Sequence, residues 1–387
     1  MHRNVWILTI AQALMTSMNS LNVFVGGLIG QQIAPSEKLA TLPIASAIVG
    51  TALFTVPVTM IMKKIGRKAT FMAVALYAAV VALLAAYSVY QSHFYLFCLS
   101  TFLLGFSNAT LLQYRFAAME SVHPDWLSRA ASFVLIGGIA SAFIGPEVAV
   151  WGKDLLEVPF AGSYLTLVGL NIGGLLLLLF YKNTLINTSE NDDPQRTLVE
   201  IIRQPVFWTA VLGATVGYAV MTFIMTATPV SMHVMDGHSL EHTKWVIQSH
   251  IVAMYLPSVI TGWLIKKLGI FRLMIAGLII YIGCLIFALS GHAIHQYFIA
   301  LVLLGVGWNF LFVGGTALLP QAYRNAERFK VQGLNELIIF STQAIASLSS
   351  GWIVFTLGWE MMLLTTIPVI GLQFVMLWIW KRSSTSM

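Results

Sequence analysis

Apolar residues recur along this chain in long runs, each closed by a short polar or Gly/Pro-bearing break, over 5–30, 40–62, 69–89, 95–114, 130–151, 161–181, 207–231, 246–265, 273–290, 297–319, 332–356 and 361–380. A helix that crosses a bilayer needs about 20 mostly apolar residues. Hydrocarbon offers no partner to a backbone N–H or C=O, so each run is expected as a helix whose hydrogen bonds close internally. Barrel strands would alternate in polarity and stop after about ten residues. The pattern predicts an all-α membrane protein of twelve transmembrane helices. The first run is too long and too polar at its centre for a cleaved signal peptide and is read as the first span.

The longest polar stretch, 182–204, carries Asn183, Ser189-Glu190-Asn191-Asp192-Asp193-Pro194 and Thr197–Arg203. It is expected as a cytoplasmic linker, ending in a short surface helix before Pro205, between a six-helix bundle over 1–181 and a second over 205–387. The halves echo one another in detail. Lys63-Lys64-Ile65-Gly66 is answered by Lys266-Lys267-Leu268-Gly269, Leu104-Gly105 by Leu304-Gly305, and Ser128-Arg129 by Glu327-Arg328. Two parallel six-helix repeats imply a solute site near mid-membrane, between the halves.

Composition agrees: 58% of residues are hydrophobic and 9% charged, with mean hydropathy +0.82, where a soluble domain carries about 25% charged residues. The basic residues separate cleanly. Alternate loops on one side hold only Lys38, Lys153 and Lys244 of the 21; the rest lie in the other set of loops and at the termini. Positive loops stay inside, so both termini are expected in the cytoplasm. The net charge of +6 therefore marks orientation in a lipid bilayer and gives no sign of nucleic-acid binding. Cys98 and Cys284 fall within apolar runs and read as small core residues. The loose set His233, His238 and His242 beside Asp236 does not have the spacing of a metal site. No phosphate-binding Gly-rich loop and no nucleophile–base constellation occurs, so neither an enzyme nor a cofactor is expected.

Twelve spans, a 6+6 repeat, a long central loop and basic loops after spans two and eight resemble the major facilitator superfamily over the whole chain. Its signature after span two, Gly-x-Leu-Ala-Asp-Arg-x-Gly-Arg-Lys, is met here by Thr59-Met-Ile-Met-Lys63-Lys64-Ile-Gly66-Arg67-Lys68. The tail matches, but the leading Gly and the Asp do not, and Lys63 stands in the place of the Asp. Gly137-Gly138 and Gly145-Pro146 are similar to the glycine-rich signature of antiporters there, but Glu147 and Val148 replace its trailing glycines, so antiport does not follow. The strings Gln113–Ala118, Met225–Pro229, Met254–Ser258, Gly307–Thr316 and Val331–Asn335 resemble a bacterial branch that includes a proposed riboflavin transporter.

Candidate chemistry follows on both grounds. Glu147 is one of two acids inside a span; proline at 146 bends a helix and can admit water beside it, so it is the expected proton-coupling residue, with His250 as a second candidate. The other acid, Glu336, and Glu327 are expected to supply the negative charge that the Lys63 and Arg67 loop lacks. Lys266 and Lys267 are expected to pair with Glu120 or Asp125. Together Lys63, Arg67, Lys266, Lys267, Glu327 and Glu336 form the expected cytoplasmic gate. Arg115 either snorkels to lipid phosphate or contacts an anionic solute. Hydrogen-bonding and aromatic residues at mid-depth, Asn19, Asn22, Asn108, Tyr218, Thr222, Thr226, Tyr255, Trp308, Asn309 and Gln343, are expected to line a cavity for a flat, neutral solute. The resemblance implies a monomeric, proton-coupled transporter of the bacterial inner membrane, working by alternating access on a small, riboflavin-like organic solute. The alternative is a proton-driven exporter of drugs or of a siderophore-like metabolite.

Overall fold

The backbone closes its hydrogen bonds within each run, and the chain is helical: the computed structural model describes residues 3–123, 127–183, 196–324 and 327–385 and holds no strand among them. The helices are α1 (Arg3–Ile33), α2 (Leu42–Ile65), α3 (Arg67–Tyr90), α4 (Phe94–Leu111), α5 (Tyr114–Met119), α6 (Leu127–Gly152), α7 (Ala161–Leu178), α8 (Leu198–Ile202), α9 (Pro205–Pro229), α10 (Leu240–Tyr255), α11 (Ser258–Leu268), α12 (Ile270–Leu289), α13 (Ile294–Leu318), α14 (Arg328–Leu364) and α15 (Ile367–Thr385). Among the described residues nine helical segments are long and apolar enough to cross a membrane, or ten with the bent pair α10–α11 as one span. The segment over 333–382 carries two expected spans, because Gly358 (φ 84°, ψ 172°) turns the chain between them. In α6 the apolar stretch is shorter, Ile136–Gly152.

Each of the twelve expected runs has its helix, and three depart in form. The eighth is bent by 42° between α10 and α11; Pro257 has no N–H to continue the ladder, and its ring crowds the preceding turn. The fourth stops at Leu111 and resumes as α5. The last is interrupted at Thr365 and Thr366 before α15.

The internal repeat has a physical basis in two turns. Gly66 (φ 84°, ψ 163°) and Gly269 (φ 81°, ψ 157°) end α2 and α11 in the same conformation, which a side chain would strain. Their N–H groups donate to Met62 O and Ile265 O, both at 2.9 Å. The same basic hairpin is thereby built twice.

Lipid supplies no hydrophobic drive between helices, so close backbone approach decides their packing. In the first half α1 packs chiefly on α6, α2 on α4 and α3 on α7; in the second, α9 packs on α13 and α14, and α12 on α13. A Cβ on Gly137 or Gly145 would lie 2.5 Å from Thr9 O or Ser17 O, so that glycine string seats α6 on α1. Gly315 lies as close to Ala210 O, seating α13 on α9.

The start of α1, the end of α15, the two basic hairpins and the described ends of the 182–204 stretch share one face, called here the terminal face. Asn4 Nδ2 donates to Lys182 O at 2.8 Å there, holding the start of α1 beside the end of α7. Residues 184–195, the centre of the expected linker, lie outside the described residues. The short helix expected before Pro205 is α8, begun by a capping box in which Thr197 Oγ1 accepts from Glu200 N and Glu200 Oε2 from Thr197 N.

The halves meet through α2 with α14, α6 with α10, and α1 with α9. On the far face the contact is close. Thr41 Oγ1 donates to Ser347 O at 3.4 Å, Gly351 lies under Thr41, and Gly27 lies under Val230. Toward the terminal face, Arg115 Nη2 reaches Glu336 Oε1 at 3.3 Å.

Candidate functional site

Between these levels lies an aromatic cluster. Four-residue spacing puts Tyr218, Thr222 and Thr226 on one face of α9. The Tyr218 ring meets Trp308 (centroids 5.1 Å, 88°), Phe312 (5.2 Å, 90°) and Phe340 (6.2 Å). Trp308 stacks on Phe312 (5.0 Å, 13°), and Tyr255 sets its edge to Trp308 at 6.0 Å. Tyr255 in turn lies against Gly138 of α6, where an added Cβ would sit 3.4 Å from the ring. The cluster therefore belongs to the second half and touches the first. The charges of Arg115 and Glu336 act on the Tyr218 hydroxyl, so that ion pair lies within electrostatic range of the cluster.

Its polar edges are open. The Tyr218 and Tyr255 hydroxyls make no hydrogen bond among the described residues, and the buried Trp308 Nε1 has no partner there. Asn108 Oδ1 on α4 and Gln12 Oε1 on α1 are buried and unpartnered in the same way. An unsatisfied buried polar group costs about 1–3 kcal/mol, a cost that a hydrogen-bonding solute would remove. Aromatic faces beside such edges suit a flat ring system.

Other expected cavity residues are occupied. Thr222 Oγ1 accepts from Gln343 Nε2 at 2.8 Å and Thr226 Oγ1 faces Ser347 Oγ at 3.4 Å, so these tie α9 to α14. Asn22 Oδ1 accepts from Tyr164 OH at 2.8 Å, tying α1 to α7. Asn19 is half-buried without a hydrogen bond among the described residues. Asn309 does not line a cavity. It is fully buried, donates to Met254 O (2.8 Å) and Ser258 Oγ (2.6 Å), and accepts from Thr261 Oγ1 (2.8 Å). It fastens α13 to the α10–α11 bend and serves a carbonyl left free there.

The ionisable residues also differ from expectation. Glu147 is not enclosed: its side chain is 58% exposed, 2.9 Å from the buried Lys244 Nζ and 3.4 Å from Gln248 Nε2. The desolvation argument for it as a proton carrier therefore fails, and it is half of an ion pair joining α6 to α10 across the halves. His250 is buried, with Nδ1 at 2.7 Å from Leu301 O of α13 and no ion pair to an acid among the described residues.

Arg67 pairs with Glu120 in a two-point contact, Nε to Oε2 at 2.6 Å, wholly within the first half. Glu120 is thus taken, and Lys267 lies over the Trp263 ring at 4.9 Å instead, with Lys266 exposed. The side chain of Lys63 and residue Asp125 lie outside the described residues. Glu336 has Arg115 for its partner.

Glu327, fully buried, accepts from Arg196 N, Nε and Nη2 (2.7, 3.0 and 2.8 Å) and from Arg324 N (2.8 Å). The Arg196 hydrogen bonds hold its carboxyl down at about 2. It anchors the end of the 182–204 stretch to the loop before α14.

The far face of the second half carries a cluster the sequence did not suggest. His292 sits between Asp236 Oδ2 (Nδ1, 3.0 Å) and Glu360 Oε1 (Nε2, 2.7 Å), and Tyr297 OH donates to Asp236 at 2.7 Å. Asp236 first, then Glu360, raise the imidazole's pKa. Phe312, Phe340 and Lys244 were also missed; the two phenylalanines read as ordinary apolar positions, and Lys244 registered only as a loop charge.

The Major Facilitator Superfamily model matches residues 5–240 and 237–387. The riboflavin transporter RfnT of Brucella anthropi is 38% identical over 376 residues, 96% of this chain and 94% of that protein. An uncharacterized MFS-type transporter of Bacillus subtilis, YddS, is 30% identical over 350 residues, 86% of this chain and 80% of its own. Among solved structures, a bacterial homologue of the human lysosomal transporter Spinster, in an inward-facing and occupied conformation, superposes with a TM-score of 0.73 at 13% identity, over 98% of this chain and 96% of that one.

Proposed function

The chain belongs to the major facilitator superfamily, and from that premise we propose that it carries a flat, neutral, riboflavin-like solute across the bacterial inner membrane, driven by the proton gradient. It is a multi-pass membrane transporter, as its relatives are named, and not an enzyme. The observation that carries the solute class is the cluster of Tyr218, Tyr255, Trp308, Phe312 and Phe340 with its unpaired hydroxyl and indole edges. The Arg115–Glu336 pair, whose charges reach the cluster, has no net charge, which favours a neutral ligand. Asn19 and Asn108 offer amides from the first half. RfnT's name supports the flavin assignment within that class.

Transport proceeds by rocking of the bundles 1–181 and 205–387 about this cluster, joined by the 182–204 linker. The far-face contacts, Thr41 with Ser347 and Gly351 and Glu147 with Lys244, form the gate closed in the present state. The Lys/Arg distribution supports a cytoplasmic terminal face and cytoplasmic termini, and the protein works as a monomer. A solute is moved because it binds both open states while the proton changes which is populated.

The test is uptake of radiolabelled riboflavin by proteoliposomes carrying an acid-outside gradient. Accumulation abolished by a protonophore is the expected result. Folded protein that neither accumulates nor exchanges riboflavin would reject the flavin reading, and extrusion with the opposite gradient dependence would favour an exporter.

A further inference from the structure

The acids at the centre and at the seams of the protein are held very differently. Glu327 accepts four hydrogen bonds, Glu120 is clamped by Arg67 at two points, and Glu147 has Lys244 and Gln248. Glu336 has a single contact among the described residues, Arg115 Nη2 at 3.3 Å, too long for a strong charge-assisted bond. Its side chain is largely covered, with 23% exposed. It projects from α14 of the second half to α5 of the first, and its charge reaches the Tyr218 hydroxyl.

A largely covered carboxylate with one loose partner is the easiest of these to neutralise, because desolvation opposes its charge and little compensates. The charged group acting on it is Arg115 from α5; Tyr218 from α9 is the neighbouring titratable side chain, with Tyr255 of α10 beyond it. The Lys63 side chain lies outside the described residues.

We propose that Glu336 is the proton-coupling residue and Arg115 its counter-ion, so that one carboxyl both carries the proton and links the halves on the terminal side. The inference rests on the transporter reading above. Ionised, Glu336 holds Arg115 and ties α14 to α5, keeping the terminal side closed, and in the present state this link coexists with the closed far face. A proton from water on the far side bonds to a carboxylate oxygen and the pair changes from neutral to +1. The link is lost, and the terminal side opens. Release of the proton to the terminal-side water restores the carboxylate, the link and the starting state. Solute bound at the aromatic cluster lies within range of this pair's charge, which couples its passage to the proton's.

Infrared difference spectra of the whole protein in lipid, recorded against pH without solute, read the carboxyl directly. The wild type is expected to show a protonated-carboxyl band that disappears as pH rises. Glu336→Gln should abolish it, Arg115→Gln should move its midpoint upward, and Glu147→Gln should leave it in place. A band that persists in Glu336→Gln, or no titrating band in the wild type, overturns the proposal. In proteoliposomes Glu336→Gln should retain gradient-free riboflavin exchange and lose accumulation; retained accumulation would also overturn it. Wild-type protein that exchanges no riboflavin would sink the flavin reading alone, since the infrared titration decides Glu336 without solute.

Discussion

Gly351→Ala should hold the far face open. An alanine Cβ there would lie 2.2 Å from Thr41 Oγ1, 3.0 Å from its Cγ2 and 3.1 Å from its Cβ. Non-bonded heavy atoms rest at about 3.5–4.0 Å, so Thr41 and α14 must separate by roughly 1 Å or more. Rotation of Thr41 gives little relief, since its β-branched side chain exchanges one heavy atom for another. Overpacking of this kind costs about 1–3 kcal/mol. If the strain is relieved by parting the halves, the same energy shifts the equilibrium toward the far-open state by about 5- to 150-fold. The assay is maleimide labelling of a cysteine placed at Ser347, which is fully buried in the seam, with Cys98 and Cys284 replaced. Labelling should speed up in Gly351→Ala and slow again when Thr41→Ala removes the two closest atoms, Oγ1 and Cγ2. An unchanged rate in Gly351→Ala, or no restoration by Thr41→Ala, would refute the reasoning.

Asn309→Leu should lower thermal stability by about 1–3 kcal/mol, because the Met254 carbonyl and the Ser258 and Thr261 hydroxyls lose their partner; flavin affinity measured in parallel should hold. His292 stabilises the fold when protonated, so its contribution is complete below the ordinary value of 6.5 and disappears as pH rises through its elevated pKa. Melting temperatures across that window should fall for the wild type and stay flat for His292→Gln. Glu327, held at about 2 against an ordinary 4.5, contributes above the latter and loses its contribution as pH falls toward the former. The stability gap between wild type and Arg196→Gln in chemical denaturation should therefore close over that range.

The helices were legible because each apolar run is long enough to span and its breaks hold the charges. The basic hairpins were legible as a repeat, since Gly66 and Gly269 meet the same conformational demand twice. Partnership was not. Asn309 in isolation reads equally as a cavity amide or an interhelical bond, and its role depends on Pro257 freeing backbone some fifty positions away, a relation that apolar periodicity does not encode. Lys244 and Glu147 lie on separate halves, so only the packing of α10 on α6 brings them together. Phe312 and Phe340 carry no polar mark to separate them from lipid-facing residues. The expected pairings of the gate failed for the same reason: Arg67 found Glu120 inside its own half, leaving Glu327 to Arg196 and Glu336 to Arg115.

The central claim is that a flat solute stacks among Tyr218, Tyr255 and Trp308, and its most direct measurement is quenching of riboflavin fluorescence on titration with the purified protein. Saturable quenching is expected, weakened strongly by Trp308→Ala and Tyr218→Ala and retained in Asn309→Leu. Binding that survives loss of both rings, or no binding by folded protein, would contradict the account.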